Sequence, residues 1–424
     1  MKITKLHSRW ILDSRGLPTV EVEATTDSGQ VAIASVPSGA STGSHEALEL
    51  RDDDSQHFEG KGVLKALDHI QKEIAPKLVG QHYSQAEIDK LLCDLGGEGK
   101  SKLGANATLA VSLACLKLAA LDEKVDLYRY VAQLADTKQL SLPMPMFNIL
   151  NGGKHAPDAS DIQEYMIMPI GATSMQMALE MGSEIFYSLK SLLHENHFSI
   201  SVGDEGGFAP AISNPEQTLD LLIRSIDQAG FKSGKDVSLC LDVAASELFD
   251  GVNYKFNKQD ISKSSAEMID WLKGLVANYP IVSIEDGLNE DDWTNWVELC
   301  KTLGDKTQIV GDDLFVTDEK LLEKGIGLKA ANAILIKPNQ IGTVSETISC
   351  VQTAQSNGWN TVLSHRSGET EDVSIAHLAV GLNCGQIKAG SLSRTDRVEK
   401  YNELLRIAEL QTDLKLAHSL VVSD

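Results

Sequence analysis

Apolar and polar positions follow two different rhythms along this chain. Within the first ~135 residues, three extended runs come first, at 3–12, 19–26 and 30–36. In the second run Val20, Val22 and Ala24 alternate with Glu21, Glu23 and Thr25, the period-two pattern of a strand with one face in solvent. Ser14-Arg15-Gly16 and Asp27-Ser28-Gly29 supply the turns between them. Helical patterns follow at 62–78, 84–95, 106–123 and 126–135. Strands followed by helices predict an α+β module over residues 1–135. The Pro-rich stretch Leu142-Pro143-Met144-Pro145 marks the boundary to a second domain, 140–424.

In that second domain short apolar runs recur at 238–241, 280–284, 308–310, 333–336, 361–363 and 385–387. About 20–40 residues of helical pattern separate them, as at 266–276 and 345–355, which is the beat of repeated βα units. Two further runs, 146–150 and 162–167, bring the count to eight, enough to close a barrel. A ninth, 198–202, is one too many and reads as an extended lead-in to Gly203-Asp204-Glu205-Gly206-Gly207. The expected fold is α/β, an eight-stranded TIM-like barrel preceded by a smaller α+β domain.

Charge narrows the function. The 424 residues carry 60 acidic against 38 basic side chains, a formal charge of −22. That balance argues against nucleic acid or anionic lipid as the main partner, since both reward a positive surface. Six scattered cysteines without a CxxC pair predict neither a disulfide framework nor a zinc site. MKITKLHSRW lacks the apolar core of a signal peptide. The most apolar stretch, 109–121, carries Lys117 and falls short of the ~20 residues a membrane span needs. A soluble protein of a reducing, cytoplasmic compartment is expected.

A charged or polar residue ends six of the runs: Asp242, Glu285, Asp312, Lys337, His365 and Lys388. Parallel barrels carry their chemistry at the C-terminal ends of their strands. Three carboxylates converging on such a rim repel one another and call for a cation. An all-oxygen set suits Mg²⁺ better than zinc, which favours His and Cys. A salt bridge or a helix cap would account equally for any one of these acids. Lys337 and Lys388 stand on the same rim, as a base or as simple counter-ions to the acids. His365-Arg366-Ser367 offers a guanidinium fork and a hydroxyl, suited to a phosphate or carboxylate. Glu205, between glycines, lies where backbone can approach a ligand, though acids in Gly-rich turns are common. Gly99-Lys100-Ser101 lacks the first glycine of a P-loop, and His194-Glu195-Asn196-His197 is one residue short of a zinc helix.

Longer words carry a resemblance. Asp13-Ser14-Arg15-Gly16, Pro37-Ser38-Gly39-Ala40-Ser41-Thr42-Gly43, Asn151-Gly152-Gly153 with His155, Gln163-Glu164, Gly203-Asp204-Glu205-Gly206-Gly207 and Ser364-His365-Arg366-Ser367-Gly368-Glu369-Thr370 together resemble the enolase family, nearly end to end. The resemblance implies a barrel with the atypical start ββαα(βα)6. It implies a reversible, Mg²⁺-dependent dehydration of 2-phospho-D-glycerate to phosphoenolpyruvate. Asp242, Glu285 and Asp312 would bind the first Mg²⁺; Ser41, on a closing loop, would ligate a second that arrives with substrate. Lys337 would remove the C2 proton and Glu205 would protonate the departing hydroxyl. Gln163, Arg366, Ser367, Lys388 and His155 would hold the substrate, with Glu164 and His365 beside the chemistry. For that role Glu205 is expected to have a raised pKa, with Glu164 supplying the push, and Lys337 to be neutral. Asp313 is expected beside the metal ligands, not among them. Ala156-Pro157-Asp158-Ala159-Ser160 departs from the family's habit and puts a proline in the loop after His155. The resemblance further implies a homodimer, with larger rings in some relatives. Two alternatives stand beside it: an acid-sugar dehydratase or racemase of the wider superfamily, and an inactive relative acting as a binding protein. The first would lack the phosphate-oriented Ser41, Arg366 and Ser367; the second would have lost a catalytic lysine or acid.

Overall fold

The computed structural model describes residues 1–40, 43–156 and 159–418. The chain opens with an antiparallel sheet, β1 (Ile3–Leu12), β2 (Pro18–Thr26) and β3 (Val31–Ser35), in the order β1-β2-β3. Val20, Val22 and Ala24 are buried, as their alternation requires. The helix Ala105–Glu123 lies on β2 and β3. The helix matches the predicted pattern to within one residue but reaches beyond the apolar stretch 109–121, and at 19 residues it is long and apolar enough to cross a membrane, so length does not argue against that role. Burial does: 83% of its apolar window is inside the fold.

The helical pattern over 62–78 forms one continuous helix, 64–78, that is irregular in its middle. Leu64–His69 and Ala75–Leu78 flank a widened π turn, Ile70–Ile74. Pro76 has no N–H to return to the carbonyl of Lys72, so the ladder cannot continue unbroken. By contrast Gln85–Gly96 begins cleanly, because Ser84 and Glu87 form a reciprocal capping box.

The barrel strands are β4 (Met144–Asn151), β5 (Glu164–Met168) and β6 (Ser238–Asp242). A small hairpin, β7 (Tyr254–Phe256) and β8 (Ile261–Lys263), stands outside it. Then come β9 (Ile281–Glu285), β10 (Gln308–Gly311), β11 (Ala333–Ile336), β12 (Asn360–Ser364) and β13 (Gly385–Lys388). The eight close in the order β10-β11-β12-β13-β4-β5-β6-β9. Two helices, Met175–Glu195 and Pro215–Gln228, separate β5 from β6, so the start is ββαα before six βα units. Residues 198–202 add no ninth strand; only Val202 bridges, to Phe208.

One strand breaks the parallel pattern. β5 runs antiparallel to both β4 and β6. Its first residue, Glu164, therefore pairs with the last residue of β6, Asp242, and with Asn151 at the end of β4. Reversal delivers the beginning of this strand to the rim where the other strands end. The N-terminal module rests on that same rim. Ser38 and Gly368 exchange two backbone hydrogen bonds of 2.8 Å, and Lys117 pairs with Asp372 at 2.6 Å.

Candidate active site

The strand ends converge on one small, largely enclosed cavity. Asp242, Glu285 and Lys388 close β6, β9 and β13, whereas Asp312, Lys337 and His365 each follow their strand by one residue. All are buried apart from Lys337, which is nearly so. Lys388 is the hub. Its ammonium lies 2.8 and 2.9 Å from the Glu285 oxygens, 3.0 Å from Asp242 and 3.3 Å from Glu164. Gln163 adds a bond of 3.4 Å to Asp242. Asp312 is paired with Lys337, and its other oxygen accepts from Gln340 at 2.8 Å.

The expected metal triad is thus divided between two lysines. Asp242 and Glu285 stand in register and share Lys388, while Asp312 turns to Lys337. Asp286 and Asp313 join Asp312 in a buried group whose oxygens lie within 4.8 Å of one another. Asp286 holds this corner by accepting the backbone N–H groups of Asp312 and Asp313 at 2.9 and 3.0 Å. A second group, His155, Glu164 and Glu205, lies across the mouth. Among the described residues, the cavity lining holds six carboxylates against three cations, Lys337, Arg366 and Lys388. This excess of buried negative charge, on oxygen donors throughout, fits a hard divalent cation.

Electrostatics follow from burial and these pairings. Burial, then Asp242, drives the Glu285 carboxyl well above the usual range. Burial and Asp313 do the same to Asp286, burial and Asp312 to Asp313. Burial alone would raise Asp312, but Lys337 outweighs it and holds the carboxyl low. Reciprocally, burial would lower Lys337, yet Asp312 keeps it raised and charged. The neutral lysine expected from sequence is not the state this arrangement favours.

The acid side also differs from expectation. Burial, then Glu205, pushes Glu164 well above the carboxylate range. Glu205 is held well below it: burial opposes ionisation, but His155, His365, Arg397 and Lys388 together prevail. The raised carboxyl is Glu164, not Glu205, because the cations crowd around Glu205. Burial lowers both His155 and His365, while Glu205 pulls each of them the other way. Glu205 also accepts from Asn148 at 2.9 Å, with His155 and His365 each 3.5 Å away. Ser367 lies 3.3 Å from the far nitrogen of His155.

Arg366 is gripped bidentately by Glu46 of the N-terminal module, at 2.9 and 3.1 Å, and by Asn339 at 3.0 Å. The sites named from sequence therefore meet at one mouth, with two positions, Ser41 and Pro157, outside the described residues. Sequence reasoning missed Glu46, Asn148, Asp286, Asn339, Gln340 and Arg397. Asp286, Asn339 and Gln340 follow rim residues by one to three positions, so a wider window at each strand end finds them. Glu46 and Arg397 lie in a coil and on the last helix, where no pattern marks them. The P-loop and zinc-helix lookalikes carry no site: Lys100 pairs with Glu346, and His194 and His197 are exposed.

Comparison with known proteins agrees with this geometry. Residues 139–418 match the enolase C-terminal TIM barrel domain, and residues 3–131 match the enolase N-terminal domain. Enolases of three Legionella pneumophila strains, Lens, Philadelphia 1 and Corby, are each 53% identical over 412 residues, spanning 97% of this chain and 97% of theirs. With both domains matched and the reversed strand in place, the chain belongs to the enolase family of lyases.

Proposed function

We propose that this mouth carries out the reversible dehydration of 2-phospho-D-glycerate to phosphoenolpyruvate and water. The observation that supports it most directly is the convergence of Lys337, Glu205 and Arg366 on one buried, acid-rich cavity. Lys337 takes the C2 proton, and the electron pair left behind delocalises onto the oxygens of the substrate's carboxylate as a dianionic aci-carboxylate. As the C2–C3 double bond forms, the 3-hydroxyl departs with a proton from Glu205 and becomes water. Because Glu164 and Glu205 sit against one histidine, the proton resting on Glu164 is close at hand for Glu205. Arg366, Ser367 and Gln163 bind the phosphate and carboxylate, and Lys388 and His155 complete the pocket. Neutral His365 directs a ring nitrogen at Glu205.

Asp242, Glu285 and Asp312 are the residues we assign to a first Mg²⁺, and Ser41 to a second that accompanies the substrate. Mg²⁺ held there would supply positive charge against the developing carboxylate charge, and Asp312, engaged with it, would no longer hold Lys337 in its protonated state. One unit charge 4 Å from a divalent ion gains roughly 8 kcal/mol at an effective dielectric of 20. Hydrogen bonds at ~1–3 kcal/mol each do not reach that scale. We also assign residues 1–135 and 140–424 as separate domains, a homodimer as the assembly and the cytoplasm as the compartment. No observation favours the dehydratase or binding-protein alternatives.

The test is direct. The purified protein is mixed with 2-phosphoglycerate and Mg²⁺, the ultraviolet absorbance of the enol phosphate is followed, and EDTA is added. A rise that EDTA stops is expected. No rise in folded protein across a series of Mg²⁺ concentrations would overturn the assignment.

A further inference from the structure

Arg397 is fully buried near the start of the helix Thr395–Leu410, and its guanidinium joins three separate parts of the chain. It donates to the carbonyls of Arg366, at 2.6 Å, and of Ser367. It reaches the carbonyl of Asp204 at 3.3 Å, in the loop that carries Glu205, and the Ser14 hydroxyl of the N-terminal module at 3.4 Å. One further N–H faces Nδ1 of His365. Asp396 accepts from Nε at 2.7 Å and orients the group.

The contact with His365 decides a chemical question. A guanidinium has donors only and keeps its charge in a protein. Nδ1 of His365 must therefore present its lone pair to Arg397. A neutral imidazole carries one N–H, so the proton resides on Nε2, and Nε2 is the atom that lies 3.5 Å from Glu205. Protonating Nδ1 would set two donors against each other in a buried position and leave both unsatisfied. We infer that Arg397 is a positioning residue that locks His365 in the neutral Nε2–H tautomer, aimed as a donor at Glu205, and ties the Glu205 loop to the His365–Ser367 loop.

This role extends the reading of Glu205 as the acid, and it gives His365 a definite part. The ring is not a proton acceptor in the cycle; it supplies a fixed N–H to whichever carboxylate oxygen has released its proton. Arg397 acts through it without touching substrate.

Nitrogen-15 NMR of the histidine rings in the intact wild-type protein tests the tautomer, with His365 identified by its absence in H365N. Coupling of ring protons to a pyrrole-type Nε2 and a pyridine-type Nδ1, unchanged from about pH 6 to 9, is expected. An Nδ1–H tautomer or an imidazolium in that range would overturn the inference. R397K keeps the charge but not the fork. It should lower kcat for dehydration by roughly 100-fold, the scale of a small misplacement of a catalytic group, leave KM nearly unchanged, and let His365 sample both tautomers. An R397K protein with wild-type kcat and an unchanged His365 spectrum would equally overturn it. E205Q is assayed alongside: if it still expels the hydroxyl, the acid assignment fails, whereas the tautomer result stands or falls on the spectrum.

Discussion

Lys388 is the strongest single lever on this site. Its ammonium is 2% exposed and sits within 3.3 Å of three carboxylates, Glu164, Asp242 and Glu285. At 3 Å and an effective dielectric of 20, one such pair is attractive by about 5 kcal/mol before desolvation is counted. Burying the ions offsets much of that, and removing one partner of a buried pair costs about 3–5 kcal/mol. Lys388→Met should therefore lower the melting temperature in EDTA by roughly 6–10 °C, at about 2 °C per kcal/mol for a chain of this size.

The sign with pH follows from the acids left behind. Glu164 and Glu285 already sit well above the usual range, through burial first and neighbouring charge second, and loss of Lys388 raises them further. A carboxyl raised in the folded state binds its proton more tightly there than in the unfolded chain. The variant's deficit should thus be largest near pH 8 and shrink toward about pH 5. Magnesium provides the second sign. In the wild type a cation competes with Lys388 for Asp242 and Glu285; in the variant it does not. Mg²⁺ should raise the melting temperature of Lys388→Met by more than it raises that of the wild type, by the linkage of ligand binding to stability. Differential scanning fluorimetry over pH and Mg²⁺ concentration reads both. Equal stability in EDTA together with equal Mg²⁺ shifts would refute the claim that these carboxylates are the metal group and Lys388 their resident counter-ion.

The remaining predictions concern chemistry, loop and joint. Lys337→Ala should abolish exchange of the C2 proton with solvent deuterium, whereas Glu205→Gln should retain exchange and lose the dehydration; the reverse pattern would exchange the acid and base assignments. Gly206→Ala should cost activity more than stability, because Gly206 has φ +83° and an added Cβ would lie 2.4 Å from the Ser393 carbonyl, moving Glu205; an active variant with wild-type kcat would contradict this. Asp372 accepts from Lys117 at 2.6 Å, Ser35 at 3.0 Å and Ser374 at 2.8 Å, so Asp372→Asn should cost about 3 kcal/mol in urea unfolding, and combining it with Lys117→Met should cost less than the sum. Burial would raise Asp372, but Lys117 holds it low, so its contribution is full above about pH 4 and fades only below; a gap that narrows between about pH 8 and 5 would contradict the pairing.

Much of this was legible in sequence, for physical reasons that particular residues make plain. The rhythm of the barrel is visible because each strand is buried on both faces and reads as a short apolar run, as Ala333–Ile336 does. Asp242, Glu285 and Lys388 are visible because they interrupt such runs at their ends. The direction of β5 is invisible to periodicity, since an apolar strand reads alike both ways; only the family resemblance supplied it. Protonation states were hidden for another reason. They depend on Arg397 and on the crowding of cations at Glu205, contacts between segments some 190 residues apart.

The reversed strand explains why this barrel can place acids on both sides of its substrate. Seven strands bring their C-terminal ends to the rim, and six of them end at, or one residue before, a charged side chain or His365. A parallel β5 would send Gln163 and Glu164 to the opposite end, leaving Lys388 with two carboxylates instead of three. Turned around, β5 sets Glu164 directly opposite Asp242 in register, within reach of Lys388 at 3.3 Å and His155 at 3.6 Å. One carboxylate then faces both halves of the chemistry: through Lys388 it is tied to Asp242 and Glu285, and through His155 to Glu205. A change of charge on either side is felt at Glu164, and its raised pKa is the mark of standing between them.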